Sequence, residues 1–517
     1  MICTADSKTK RIGLIDIGSN TIRLVVFEFS KRHGLKELQN IKTPARLYRY
    51  LNEDKEMSDE GISVLIDTLK SFGKVSDKFD VEELYPVATA AVRQSTNLDE
   101  IKSRVFEETG VSLTIVSESE EAFYGFYAVI NTIEIEDGVT VDIGGGSTEV
   151  TYFEDKELKY SHSFPFGVVT LKEIFFKDKP HNDKEAINKT IEYVKEQFSS
   201  LRWLEKRYVP IIAIGGSARN IARIHQSKNE YPIAGVHGYE MNIDDLDDVF
   251  NTLVDTDESD LEDIDGLSKD RTDIIVQSNI VFKALYDEVG AKMFKFSRKG
   301  LREGVVMRIL EKDFEMPFDR YKVFKNSLLE LASDYNIDLD NANQRIMIAE
   351  TMYYELRKQS YFEHSKSQKK FIRHAAFLYY LGAYIDADSS SQHTYYILSN
   401  SNINGINHKD RVKLALLASF KNKSLLKFYM DEIPWFSNDE QDRIQAFGGL
   451  LKFCHALDIS NTSIVKGLYI SNVDDDTIDL TIEYQGDAIA EMYQADRQKK
   501  HIEKITKKNL NLIFTKI

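Results

Sequence analysis

The residues best able to do chemistry lie in Asp142-Ile-Gly-Gly-Gly-Ser-Thr-Glu149. Apolar runs flank this stretch, Gly138–Val141 before it and Val150–Phe153 after it, so it reads as strand, glycine turn, strand. Three consecutive glycines leave backbone N–H groups uncovered and let a phosphate come close. The carboxylates of Asp142 and Glu149 bracket the turn, and carboxylates beside a phosphate cradle imply a hard cation or a polarised water. A second copy of the pattern stands upstream, Asp16-Ile-Gly-Ser-Asn-Thr-Ile-Arg23, between the apolar runs Arg11–Ile17 and Leu24–Phe29. Two such hairpins predict two related halves that contact phosphate from opposite sides of a cleft.

Other polar residues fall where strands end. Leu84–Val92 reads as a strand that carries Arg93 to its carboxyl end, where α/β sheets bind ligands, and arginine can hold phosphate oxygens bidentately. Ser112–Val116 leads into Ser117-Glu-Ser-Glu-Glu-Ala122 at a helix start. The helix dipole alone accounts for acids there, but a glutamate near the cleft could also deprotonate water. Gly215-Gly-Ser-Ala-Arg-Asn220 follows the short strand Val209–Ile214 and opens a helix, an arrangement suited to anions.

These residues must be positioned by elements that the periodicity outlines. Ser58–Phe79 is predicted helical from Ile62, Leu65, Ile66, Leu69 and Phe72. Asn97 with Glu100, and Asn182 with Glu185, are read as helix starts; the second helix is expected to reach about Tyr208. Asp244–Asp265 is read as a solvated acidic surface segment, and Arg271–Glu288 as a helix. From about Asp313 glycine thins and helices dominate: Val323–Tyr335, Asn341–Lys358, Lys369–Ile385, Lys409–Phe420 and Asp439–Leu457. A strand at Asp475–Tyr484 and a helix at Asp487–Lys508 would close the chain.

The 517 residues carry a net charge of −16 and 42% hydrophobic residues. Several cores are within reach, and a general nucleic-acid binder, which needs a basic surface, is disfavoured. Two cysteines, Cys3 and Cys454, are too few for a disulfide framework. The polar start Met1–Arg11 is not read as a signal peptide and no apolar run would span a membrane, so a cytoplasmic protein is expected.

Taken in order, six pieces resemble the exopolyphosphatase / guanosine pentaphosphate phosphohydrolase family of the actin-like ATPase superfamily. They are Asp16-Ile-Gly-Ser-Asn-Thr21, Ala88-Thr-Ala-Ala-Val-Arg93 with Asn97, Glu120-Glu-Ala122, Asp142–Glu149, Gly215–Asn220 and Gly300-Leu-Arg-Glu-Gly304. The resemblance implies an α/β fold of two actin-like (ribonuclease-H-like) domains, residues 1–130 and 131–312. A mainly helical HD-like region (313–465) and a small α+β unit (466–517) would follow. It implies hydrolysis of the terminal phosphate of inorganic polyphosphate, with guanosine pentaphosphate hydrolysis or non-catalytic binding of either ligand as alternatives. Glu121, or adjacent Glu120, would be the base. Ser19, Asn20, Arg93, Gly144, Gly145, Gly146, Ser147 and Thr148 would bind phosphate. Asp142, Glu149 and Asp16 would hold Mg²⁺, and a homodimer is expected. Arg271-Thr-Asp273 is read as structural, because a glycine that the family places shortly after it is replaced by Gln277-Ser278. In the helical region the family's metal-binding His-Asp pair falls at Tyr379-Tyr380, which cannot supply an imidazole and a carboxylate. That region is therefore expected to lengthen the substrate channel or to mediate dimerisation, with His374 and His393 as ordinary histidines.

Overall fold

The computed structural model describes residues 9–30, 34–316 and 318–517. The polar start at 1–8, with Cys3, lies outside the described residues. Two compact units emerge, one holding residues up to Asn326 and the other running from Ser327 to Ile517 together with Pro232–Gly235.

The first unit contains two sheets of the same plan. Strands β1 (Lys10–Ile17), β2 (Ile22–Ser30), β3 (Gly34–Thr43), β4 (Glu83–Ala88) and β5 (Thr114–Ile115) lie in the order β3-β2-β1-β4-β5. Strands β6 (Gly138–Ile143), β7 (Thr148–Glu154), β8 (Glu157–Phe164), β9 (Ile211–Ile214), β10 (Glu240–Met241) and β11 (Phe294–Phe296) lie in the order β10-β11-β9-β6-β7-β8. Each sheet is an antiparallel meander whose first strand also pairs in parallel with a later one. Asp16 pairs in register with Arg23 in the first sheet, and Asp142 with Glu149 in the second. The two halves thus present an aspartate at equivalent places, opposite an arginine in one and a glutamate in the other.

Buried aliphatic side chains fix both sheets. Helix Asp59–Lys78 lays Ile62, Leu65, Ile66, Leu69 and Phe72 against Ile15, Ile17 and Leu24. Helix Leu301–Asp313 returns to the first sheet and packs Val305, Val306 and Leu310 on Ile12 and Leu14. Helix Glu118–Ile130 packs Phe126 and Ile130 with Phe153, Ile212 and Ile214 of the second sheet.

Several local expectations are corrected. Strand β4 stops at Ala88, and Ala90–Arg93 form one helical turn instead. Asn97 makes no cap; its side chain is spent on the backbone of Met57, accepting from the N–H and donating to the carbonyl, and also bonds Glu100. Asp183, not Asn182, caps the next helix, which ends at Ser199. The acidic stretch Asp244–Asp265 keeps most of its acids exposed, as expected of a solvated surface segment; its first part is a helix, Ile243–Asp255, that buries Leu246, Val249 and Leu253. The helix expected to begin at Arg271 begins at Ile275.

The second unit is helical and ends in a sheet. The expected helix Lys369–Ile385 breaks after Phe377. Tyr379 and Tyr380 stack with ring centroids 4.3 Å apart and both donate to the carbonyl of Phe420, which draws the chain out of the helix. Tyr380 takes the left-handed conformation, φ 57°. Helices Ser390–Asn400 and Lys423–Glu432 were not signalled by periodicity. Strands β12 (Val465–Val473), β13 (Thr477–Tyr484) and β14 (Asn509–Lys516) form the last sheet; only β13 was expected. The expected helix Asp487–Lys508 is two, Ile489–Gln498 and Lys500–Thr506. Among the described residues no helix is long and apolar enough to cross a membrane.

Candidate active site

The glycine turn is held from behind. Gly144 donates to the carbonyl of Ser147. The carbonyls of Gly144 and Gly145 accept from Val168 and Val169, at the start of helix Val168–Phe175. Gly167 makes this approach possible, since a Cβ there would sit 2.5 Å from the Gly144 oxygen and the Gly145 carbonyl. Among the described residues the N–H groups of Gly145, Gly146 and Ser147 have no backbone acceptor, and Gly145 and Gly146 are exposed. The first hairpin repeats the device, with Gly18 donating to the carbonyl of Thr21. Its turn is pinned by Tyr48 and Arg46, whose N–H groups donate to the carbonyls of Ser19 and Asn20.

Four carboxyl groups converge between the two halves. Burial raises the Asp142 pKa to about 7, with the charges of Glu121 and Asp16 adding to the effect. Burial likewise raises Glu121, Glu149 and Asp16; Glu149 faces Glu121 electrostatically, and Arg302 and Arg23 pull Asp16 back down. Such a group of like charges leaves water only if protons or cations neutralise it. Glu149 is further held by the hydroxyl of Ser163 at 3.0 Å.

Arg93 faces this group and is itself anchored. Its Nη1 donates to Glu121 at 3.0 Å and to the carbonyl of Val116 at 2.9 Å. Its Nη2 is buried with no hydrogen-bond acceptor, and Glu118 lies 3.5 Å away. Glu121 and Glu120, equal in sequence, have different surroundings. Glu120 accepts from the N–H and hydroxyl of Ser117, completes a capping box, and is exposed. The structure does not bring it to the other carboxyls. Nor does it bring Thr148, which is fully buried and donates to the carbonyl of Phe166 at 2.7 Å.

Arginines that the sequence does not single out join it. Arg271 lies against Gly216, where any Cβ would meet its guanidinium, donates to the hydroxyl of Ser217 at 3.3 Å, and faces Asp142 electrostatically. The structural reading of that segment is corrected: Arg271 is part of the charged cleft. Burial, then the neighbouring Arg223, Arg302, Arg23 and Arg298, pull the Arg219 pKa down to about 10. Among the described residues, Arg219, Arg223, Arg298 and Arg302 form no ion pair. Arg23, Arg219 and Arg302 all stood inside the recognisable motifs. The missed signal was that three motifs each contributed an arginine.

Among the described residues no group of three or more His, Cys, Asp or Glu side chains is placed to hold a metal ion, so a cation here would rest on fewer carboxylates. Mg²⁺ is ordinarily held by one or two carboxylates plus waters and substrate phosphates, and Asp142 and Glu149, whose carboxyl pKa values burial raises, are donors of that kind.

The duplicated sheets around a charged cleft are those of paired actin-like domains. The chain belongs to the Ppx/GppA phosphatase family: the family model matches residues 25–313, and the model of its domain III matches residues 323–509. It is similar to a Ppx/GppA family member of known structure from Aquifex aeolicus, with 26% identity and a TM-score of 0.54, covering 59% of this chain and 99% of that one. An exopolyphosphatase structure from Cytophaga hutchinsonii, 23% identical with a TM-score of 0.53, covers 58% of this chain and 98% of its own. A bifunctional 3-dehydroquinate synthase/phosphatase of Fusobacterium nucleatum is 28% identical over 308 residues, 57% of this chain. The match spans 46% of that protein's length.

Proposed function

We propose that this chain is an exopolyphosphatase, a hydrolase of phosphoric anhydrides that releases orthophosphate from the end of an inorganic polyphosphate chain with Mg²⁺ as cofactor. The observation that carries this reading is the cleft itself: buried carboxyls around Asp142 beside arginines that form no ion pair among the described residues. A linear polyanion matches such an arginine group better than a neutral substrate would, and the membership of a phosphatase family supports the same chemistry.

In this reading Glu121 is the base. It takes a proton from a water aligned on the terminal phosphorus, while the bond from that phosphorus to its bridging oxygen breaks. Arg93 fixes the Glu121 carboxylate through Nη1 and offers Nη2 to a phosphoryl oxygen. The free N–H groups of Gly145, Gly146 and Ser147 receive further oxygens, with Ser19 and Asn20 on the opposite wall. Gly144 and Thr148 shape the turn through their own hydrogen bonds. Asp142 and Glu149, directly or through water and with Asp16 close by, would hold Mg²⁺, which when bound would neutralise charge on the phosphoryl oxygens. Glu120 caps its helix and has no part in the chemistry.

Phosphate release from long-chain polyphosphate and from guanosine pentaphosphate, each with Mg²⁺, tests the proposal. Release from polyphosphate that disappears in Glu121→Gln is expected. Release from guanosine pentaphosphate alone would replace the substrate, and release from neither would remove the enzymatic reading.

A further inference from the structure

A cavity of about 80 Å³ lies in the second actin-like half, lined by residues other than the four cleft carboxyls. Lys172, Lys179, His181, Glu258, Asp273 and Gln277 supply most of its polar lining. Helix Ile275–Val289 begins at this wall, with no acid in its first turn and, among the described residues, no side chain that caps it. The N–H groups of Ile275, Val276 and Gln277, all three residues buried, have no backbone acceptor among the described residues. An uncapped helix start is a positive pole that favours an anion. The charges at the rim largely cancel. Lys172 donates to Asp273 at 2.7 Å, Lys179 lies 3.4 Å from both Asp183 and Glu185, and Glu258 is exposed. The buried end of the cavity therefore decides which sign of charge it takes.

Two side chains at that end are buried with an atom left over. His181 is 7% exposed and Gln277 1%. Nε2 of His181 lies 3.0 Å from the carbonyl of Leu253 and 3.1 Å from that of Thr256, so it carries the ring hydrogen. In the neutral ring Nδ1 is then an acceptor, and among the described residues it has no partner. Oε1 of Gln277 is an acceptor in the same position. A buried acceptor left unmet is costly, so both ask for a donor. A fully deprotonated oxyanion would answer the helix start and the lysines but leave both acceptors unmet. An oxyanion that keeps a hydrogen answers all of them.

We propose that this cavity is a phosphate site apart from the cleft, which takes free orthophosphate in its hydrogen-bearing forms. A water needs roughly 10–15 Å³ of such space, so the phosphorus and oxygens of one phosphate have room. Near neutral pH orthophosphate keeps one or two hydrogens, whereas sulfate, alike in shape, keeps none. The two unmet acceptors select between them, because a site built around a donor rejects an analogue that lacks it. The cavity also touches two supports of the cleft. Asp273 stands two places beyond Arg271, and Lys172 lies on helix Val168–Phe175, which holds the glycine turn. The inference does not rest on the proposed substrate, since binding is read without turnover.

Histidine-ring NMR of the full chain, titrated with inorganic phosphate, tests it. The His181 signals are assigned by their loss in His181→Gln. Phosphate should shift them saturably, and sulfate should bind about tenfold or more weakly. Gln277→Glu sets a carboxylate in the first turn of the helix, which the helix dipole favours, so the variant should fold. It should raise the phosphate dissociation constant about tenfold or more. Lys179→Ala should raise it several-fold, and Lys195→Ala, on the exposed face of helix Lys184–Ser199, should leave it unchanged. Circular dichroism checks the fold of each variant. A wild type with no saturable shift overturns the proposal. So does an equal response to sulfate, or a response undiminished in both Gln277→Glu and Lys179→Ala.

Discussion

Asp142→Asn should make the metal-free protein more stable while removing its activity. Asp142 is raised from 3.8 to about 7, chiefly by burial and then by Glu121 and Asp16. That rise corresponds to at most about 4 kcal/mol at alkaline pH, and partial solvent access brings the real figure lower. The sign follows from the direction. The folded state prefers the protonated carboxyl, so its contribution is full below the unfolded value near 4 and is lost as pH rises through about 7. Asparagine carries no such charge at any pH. Calorimetry without divalent cations should therefore show the two proteins melting together near pH 4. The variant should pull ahead between pH 4 and 7 and hold a constant lead above that, by a few degrees at roughly 2 °C per kcal/mol. Mg²⁺ at pH 8 should raise the wild type more than the variant and narrow the gap. A lead that does not change with pH, or a variant less stable at pH 8, would refute the argument that ionised Asp142 is a burden to the fold.

Glu121→Gln should lower kcat by roughly 10²–10⁴-fold without loss of melting temperature, and the acid limb of kcat/KM, expected well above the ordinary carboxylate range, should vanish with it. Glu120→Ala should do the reverse, costing about 1 kcal/mol of stability through its capping box and leaving kcat intact. Gly167→Ala should lower kcat in a protein with an unchanged circular dichroism spectrum, because its Cβ displaces the glycine turn. Arg302→Ala should raise KM for polyphosphate and weaken its salt dependence, which steady-state kinetics at several ionic strengths would read.

The duplication was legible because each hairpin carries its strands, turn and aspartate in one short run. The sheet plan around it then follows from ordinary right-handed connections. Arg271 was not legible, since nothing local says that it lies against Gly216; a contact between distant segments leaves no periodic trace. The choice between Glu120 and Glu121 turned on Ser117, whose hydroxyl and N–H claim Glu120. The capping pattern was present in the sequence, but a run of three glutamates hid which of them it used. The break after Phe377 escaped because Tyr379 and Tyr380 fit a helical pattern, and only the carbonyl of Phe420 draws them away from it. Strand β14 escaped because its polar–apolar alternation lasts only from Asn509 to Leu512 before the apolar run Leu512–Phe514 interrupts it.

The two sheets place an arginine in one half where the other places a glutamate, Arg23 against Glu149. In the proposed reading, the two copies of one hairpin would thus divide the work on a phosphate chain, one adding positive charge for its oxygens and the other a carboxylate for the cation.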